Sequence, residues 1–120
     1  MTTKAARSDP RSLLPLTEPV FHILLGLADG ERHGYGIILE IGRRTGGSVK
    51  LRTGTLYTAL ARMLKMGLIE ETGERPDPES DDERRRYYRI TPFGREVARA
   101  EAARMRALVA LAGDKKVLAR

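Results

Sequence analysis

Thr53, Thr55, Thr58, Arg62 and Lys65 lie within residues 52–68, and short hydroxyls mixed with long cations are side chains suited to duplex DNA. An arginine forks onto the acceptor edge of guanine, a threonine methyl meets the methyl of thymine, and both reach phosphate oxygens. In the same stretch Leu56, Leu60, Met63 and Leu64 recur at i, i+4, i+7 and i+8. That spacing predicts one apolar side of a helix, with Thr55, Thr58, Arg62 and Lys65 on the other. Tyr57 falls at the edge of the apolar side, where its ring can pack while its hydroxyl reaches a phosphate. Gly67, just past the last cation, reads as a C-cap. Many amphipathic helices with such a face are simply solvated, so the elements around this one decide its meaning.

Upstream, Leu16, Val20, Ile23, Leu24 and Leu27 repeat at helical spacing behind Thr17, an N-cap followed by Glu18 and Pro19 in the first turn. This helix is predicted to stop at Asp29-Gly30. A second is predicted from about Gly34 to Arg44, ending at Gly46-Gly47. Its apolar residues Tyr35, Ile37, Ile38, Leu39 and Ile41 cover a wide arc, which predicts packing on two sides. Tyr35 counts as core by that arc and is also kept among the candidate DNA contacts. Gly34 and Gly36 are costly at a helix start, which points to a close backbone approach or a sharp turn there. Residues 68–72 and 87–90 read as two short strands, joined by a charged connection with Pro76 and Pro78. Three helices followed by a hairpin make a winged helix-turn-helix, mainly α with a small β-hairpin.

Thr91-Pro92 then opens a last helix as N-cap and N1, predicted to run through about Gly113. Along it Ala98, Ala102, Met105, Val109 and Ala112 follow the alternating four-three spacing of a coiled-coil seam, with Leu108 beside them. Val97, Leu108 and Leu111 form a wider apolar flank interrupted by Glu101 and Arg104, whose i, i+3 spacing permits a mutual pair. A helix of about 20 residues spans roughly 30 Å, longer than so small a core covers. A dimerisation helix is therefore expected in place of one that only packs back on its own domain. The organisation expected is a flexible basic arm over residues 1–14 with Lys4, Arg7 and Arg11, the winged domain over 15–91, the dimerisation helix over 92–113 and a tail over 114–120.

At 120 residues the chain is long enough for one modest core and too short for a separate catalytic domain. Its net charge of +6 favours an anionic partner. Residues 77–83 carry five acidic side chains in the expected hairpin loop, which leaves +11 on the rest of the chain. Arg84, Arg85 and Arg86 follow at once. Phosphate would repel the acidic tip, so these strand-borne arginines are the expected second contact with DNA. The alternative is that the two charge runs pair and keep an edge hairpin soluble.

With these pieces in order, the chain resembles the PadR family of transcriptional regulators. The resemblance is carried by Leu16-Thr17-Glu18-Pro19-Val20, His33-Gly34-Tyr35-Gly36-Ile37, Gly54-Thr55-Leu56-Tyr57, Gly67-Leu68-Ile69 and Arg86-Tyr87-Tyr88-Arg89-Ile90-Thr91-Pro92-Phe93-Gly94, covering about residues 16–94. It implies a dimeric winged-helix DNA-binding protein, usually a repressor, with the dimer built largely by the last helix. The short C-terminal region is similar to that of the smaller members. Thr58 departs from the family pattern, where many relatives carry proline after the tyrosine; it adds a hydroxyl and keeps a backbone N–H.

Other classes find little in the residues. His22 and His33 are the only histidines, and neither is read as paired with a carboxylate at helical i, i+4 spacing. No metal, cofactor or catalytic residue is expected. Gly46-Gly47 lacks the Lys-Ser/Thr of a phosphate loop, and no Gly-flanked nucleophile occurs. The chain has no cysteine, no apolar run of membrane-spanning length and no signal-peptide core, so a cytoplasmic location is expected. The expected partners are double-stranded DNA and a second copy of the chain. Nothing identifies an effector, although Met105 and Leu108 can line an apolar gap at a dimer centre. The competing readings are a basic RNA-binding protein, disfavoured by the scarcity of aromatics off the apolar faces, and a dimeric winged helix used only for protein interaction.

Overall fold

The computed structural model describes residues 9–77 and 80–119, with backbone alone at 77 and 80–84. Four helices and a three-stranded antiparallel sheet follow in the order α1 (Glu18–Leu27), β1 (Arg32–His33), α2 (Gly34–Arg44), α3 (Thr53–Lys65), β2 (Ile69–Asp77), β3 (Ser80–Ile90) and α4 (Pro92–Asp114). Ile23, Leu24, Ile37, Ile41, Leu56, Leu60, Met63 and Leu68 are sealed from solvent where α1, α2 and α3 meet, and Val97 of α4 closes the same core. This is the expected winged helix-turn-helix with a C-terminal helix.

Caps set the helix starts. The Thr17 hydroxyl accepts the Val20 N–H at 3.4 Å, and the Thr91 hydroxyl accepts the Gly94 N–H at 2.9 Å while donating to the Gly67 carbonyl at 2.6 Å. His33 caps α2, its Nδ1 accepting the Gly36 N–H at 3.0 Å, so this histidine is structural. Gly67, at φ 76°, ends α3: its N–H and that of Leu68 turn back to the Leu64 and Met63 carbonyls at 3.1 and 3.0 Å.

Several expectations need correction. Tyr35 and Leu39 are 49% and 50% exposed, so α2 packs on one side, through Ile37 and Ile41, and its arc overstates its burial. Leu64 is also exposed; Ala59, not Leu64, completes the buried face of α3. The strands are much longer than the two short runs predicted. β2 and β3 pair from Ile69↔Ile90 to Asp77↔Ser80, so most of the acidic run is strand, not loop. The ladder is made by backbone groups, and charged side chains face one another across it: Arg89 meets Glu70 at 2.6 Å, and Arg86, from the expected connection, meets Glu71 and Glu74 at 3.4 and 3.5 Å. Pro76 is tolerated because β2 is an edge strand. β1, only two residues long, pairs with Tyr87 and Tyr88 of β3 and carries no periodicity a sequence could display.

The flexible arm expected over residues 1–14 is contradicted from Asp9 onward. Lys4 and Arg7 lie outside the described residues. From Asp9 the chain forms a 3-10 turn at Pro10–Leu13, and Leu13, Leu14 and Leu16 pack on the core because burying three leucines outweighs ordering a short segment. Glu101, fully buried on α4, receives the Leu16 N–H at 3.3 Å and the Arg104 guanidinium at 2.7 and 3.0 Å. The expected i, i+3 pair is therefore also the pin that fastens this segment to the last helix. Contrary to expectation, a carboxylate does lie at helical spacing from His22: Glu18, four residues earlier, stands 3.7 Å from its Nε2.

Candidate nucleic-acid interface

The apolar side of α3 is consumed by the core, and that fixes what its other side presents. Thr53, Thr55, Tyr57, Thr58, Arg62 and Lys65 are all exposed, while Leu56, Ala59, Leu60 and Met63 are buried. The N-cap position, Arg52, makes no side-chain cap, so the first-turn N–H groups are left for an outside acceptor. Gly46 and Gly47, both at positive φ, turn the chain from α2 towards α3, and Thr45 braces this turn by donating to the Ile41 carbonyl and accepting the Val49 N–H.

The cations divide into paired and unpaired ones among the described residues. Arg44 is held by Glu40 at 2.9 Å, Arg75 by Glu31 at 3.1 Å and Arg104 by Glu101. These carboxylates stay ionised: the Thr72 hydroxyl and then Arg75 hold Glu31 below the ordinary carboxylate range, and Arg44 does the same for Glu40. Among the described residues Lys50, Arg52, Arg62 and Lys65 make no hydrogen bond or ion pair. Lys50 and Arg52 did not figure among the sequence candidates. The signal was there, in cations alternating with Val49 and Leu51 directly before a helix N-terminus.

The wing meets the helix pair at Tyr35. The Arg85 guanidinium sits 5.5 Å from the centre of the Tyr35 ring, which brings an α2 candidate and a β3 candidate together. Tyr57 approaches α2 so closely that a Cβ on Gly34 would collide with its ring and hydroxyl, the close approach that the glycine foretold. Arg86 is flanked by Glu71 and Glu74. The side chains of Arg84 and of the acidic run lie outside the described residues. At the base of the wing Arg75 covers Tyr87 at 4.3 Å and His33 meets the same ring edge-on.

The seam candidates on α4 divide. Ala98 is partly buried beside Val97, whereas Met105, Leu108, Val109 and Leu111 are 37% to 53% exposed. Among the described residues no three histidines, carboxylates or cysteines cluster to hold a metal ion, and no helix is long and apolar enough to cross a membrane.

Known proteins share both the sequence and the fold. An uncharacterized protein X of Lysinibacillus sphaericus is 38% identical over 74 residues, 61% of this chain and 64% of that protein. An uncharacterized 37.1 kDa protein in a Streptomyces fradiae transposon is 38% identical over 80 residues, 67% of this chain and 21% of that protein. The chain thus spans less than two thirds of either relative. A transcriptional regulator from Clostridium thermocellum has the same fold at TM-score 0.68 and 24% identity, over 95% of this chain and 96% of its own. A PadR family regulator from Clostridium difficile follows at 0.66 and 24%, over 82% and 97%. Bacillus subtilis PadR, in complex with operator DNA, aligns at 0.58 and 21%, over 72% and 47%. Residues 23–100 match the transcriptional regulator PadR-like family, a stretch that takes in α2, α3, the wing and the first part of α4. The chain belongs to the PadR-like family of transcriptional regulators, and so to a family of regulators, not enzymes.

Proposed function

We propose that this protein binds double-stranded DNA sequence-specifically as a homodimer on a pseudo-palindromic operator, and that it represses the gene it controls. The observation that carries this reading is the outer face of α3, where Thr53, Thr55, Thr58, Arg62 and Lys65 are exposed and the two cations have no protein partner among the described residues. In this reading α3 lies in the major groove, with Arg62 and Thr55 on base edges. Lys50, Arg52 and the uncapped first turn hold phosphates, as do Tyr57 and Lys65. Tyr35, Arg84, Arg85 and Arg86 bind the backbone from the wing side. The seam of Ala98, Ala102, Met105, Leu108, Val109 and Ala112 joins two copies. The shared fold with a PadR crystallised on operator DNA supports the docking mode.

Titrating salt against a duplex selected from a random pool tests the reading. If a dimer neutralises roughly six to ten phosphates, affinity should fall about 10³- to 10⁵-fold between 50 and 200 mM salt. A response flat in salt would sink DNA binding and favour the protein-interaction module instead.

A further inference from the structure

A groove of about 580 Å³ opens between the 3-10 turn, the start of α1 and one flank of α3. Its walls are aliphatic, with Leu13, Leu16, Val20, Ala59 and Met66 among them, and no aromatic ring contributes. The polar rim is Thr17, Thr55, Thr58 and Arg62. Among the described residues Arg62 is the only charged side chain lining the groove, and it makes no hydrogen bond or ion pair there. One wall is pre-formed, because the Leu16 N–H is pinned to the buried Glu101 carboxylate, which Arg104 clamps in turn.

Small-molecule sites have this size and character: apolar walls with a few convergent polar groups. A lone guanidinium at the rim calls for an anion, and its fork suits a carboxylate. Walls without aromatic rings suit a flexible aliphatic chain better than a planar one, which would find no stacking partner. We propose that this groove is an effector site for a medium-chain aliphatic carboxylate. Its tail leaves water between α1 and α3, and its head pairs with Arg62. The inference rests on the DNA-binding reading above in one respect: the ligand occupies Thr55, Thr58 and Arg62, the side chains assigned to the operator, so the two are mutually exclusive. By linkage, operator DNA weakens the ligand by the same factor that the ligand weakens DNA.

Two measurements on the full chain test it. Octanoate, kept below its micellar range, is titrated calorimetrically without DNA. One site per chain is expected, with binding weakened roughly tenfold when 1-octanol replaces octanoate or when Arg62→Leu replaces the wild type. Leu13→Trp, which fills the groove from the side of the 3-10 turn, should abolish uptake; if circular dichroism shows that variant unfolded, Met66→Trp fills the groove from the opposite wall. Octanoate is then added to protein bound to its selected duplex. DNA affinity should drop at least tenfold for the wild type and remain unchanged by octanoate for the filled variant. If no duplex is bound at all, the DNA-binding reading fails while the calorimetry still decides the groove. The proposal is overturned if octanoate does not bind, if octanol binds equally well, or if the filled variant takes up octanoate like the wild type. It is also overturned if octanoate splits a dimer into monomers by light scattering, since the groove would then be a seat for a second copy.

Discussion

Arg62 and Arg85 carry the same charge and are asked to do different things. Arg62 projects from α3 without a partner among the described residues, whereas Arg85 lies over the Tyr35 ring at the wing. Arg62→Ala is expected to lose about 1–3 kcal/mol of discrimination between cognate and scrambled duplexes, the value of a bidentate base contact. Thr55→Val should lose discrimination in the same sense, and Arg85→Ala should weaken both duplexes alike. Equal behaviour of the three in competition binding would show that α3 is not the reader. Glu101 supplies a pH dependence. Arg104, followed by its charge and the Leu16 N–H, holds the Glu101 carboxyl below its ordinary 4.5. A carboxyl depressed by folding stabilises the protein above the unfolded value, and that stability is lost as pH falls through the folded value. Thermal unfolding of Glu101→Gln should therefore show a deficit near pH 6 to 7 that shrinks as both proteins are taken below pH ~4. A deficit constant with pH would remove the ion pair from the account.

Two glycines separate packing from positioning at the scale of the elements. A Cβ on Gly94 would run into the Leu68 carbonyl, so the first turn of α4 lies directly on the backbone that leaves α3. Backbone cannot step aside, and Gly94→Ala should destabilise the fold by about 3 kcal/mol or more, read from denaturant unfolding. On Gly34 the obstacle is the far end of the Tyr57 side chain, which can move. Gly34→Ala should cost less stability, about 1 kcal/mol, and should weaken operator binding by displacing Tyr57 from its place beside α2. If Gly34→Ala leaves binding intact and Gly94→Ala is harmless to stability, the contacts assigned to these elements are wrong. The wing makes the same distinction in another form, since its length comes from a backbone ladder and its cross-strand ion pairs, not from apolar alternation.

For the whole molecule the telling fact is that α4 outruns its own core. Its 23 residues extend about 34 Å, yet burial ends at Glu101, and Met105, Leu108, Val109 and Leu111 face solvent in the single chain. The radius of gyration is 16.2 Å, against about 13.6 Å for a compact domain of this length. Such a projecting apolar stripe fits a two-fold partner, which would place two α3 helices roughly 34 to 36 Å apart for successive major grooves. If the proposed seam is right, Met105→Glu would set two carboxylates together in it while changing an exposed side chain of the protomer. The variant should be a folded monomer by light scattering and circular dichroism, with operator affinity lost. A variant that stays dimeric and binds a palindrome normally would place the interface elsewhere.

Periodicity alone determined the helices, because burying one stripe of α1, α3 and the start of α4 is written in the 3.6-residue spacing of Leu16 to Leu27, Leu56 to Met63 and the residues after Pro92. The caps at Thr17, Gly67 and Thr91 were legible for the same reason, since each acts within a few residues of itself. So was the polar face of α3, as the complement of its apolar one. Tertiary structure alone decided matters that depend on neighbours distant in the chain. Tyr35 and Leu39 are exposed because no element covers that side of α2, which its own residues cannot announce. The hairpin outruns the expected strands because backbone pairing is indifferent to side-chain charge, and below the acidic run Arg86 and Arg89 face carboxylates across the ladder. The Leu16–Glu101 pin joins residues 85 positions apart, and only the folded chain shows that Arg62 and Lys65 have no partner among the described residues while Arg44, Arg75 and Arg104 do. Local spacing encodes what one segment must bury, and only the assembled chain settles which groups are left facing outward.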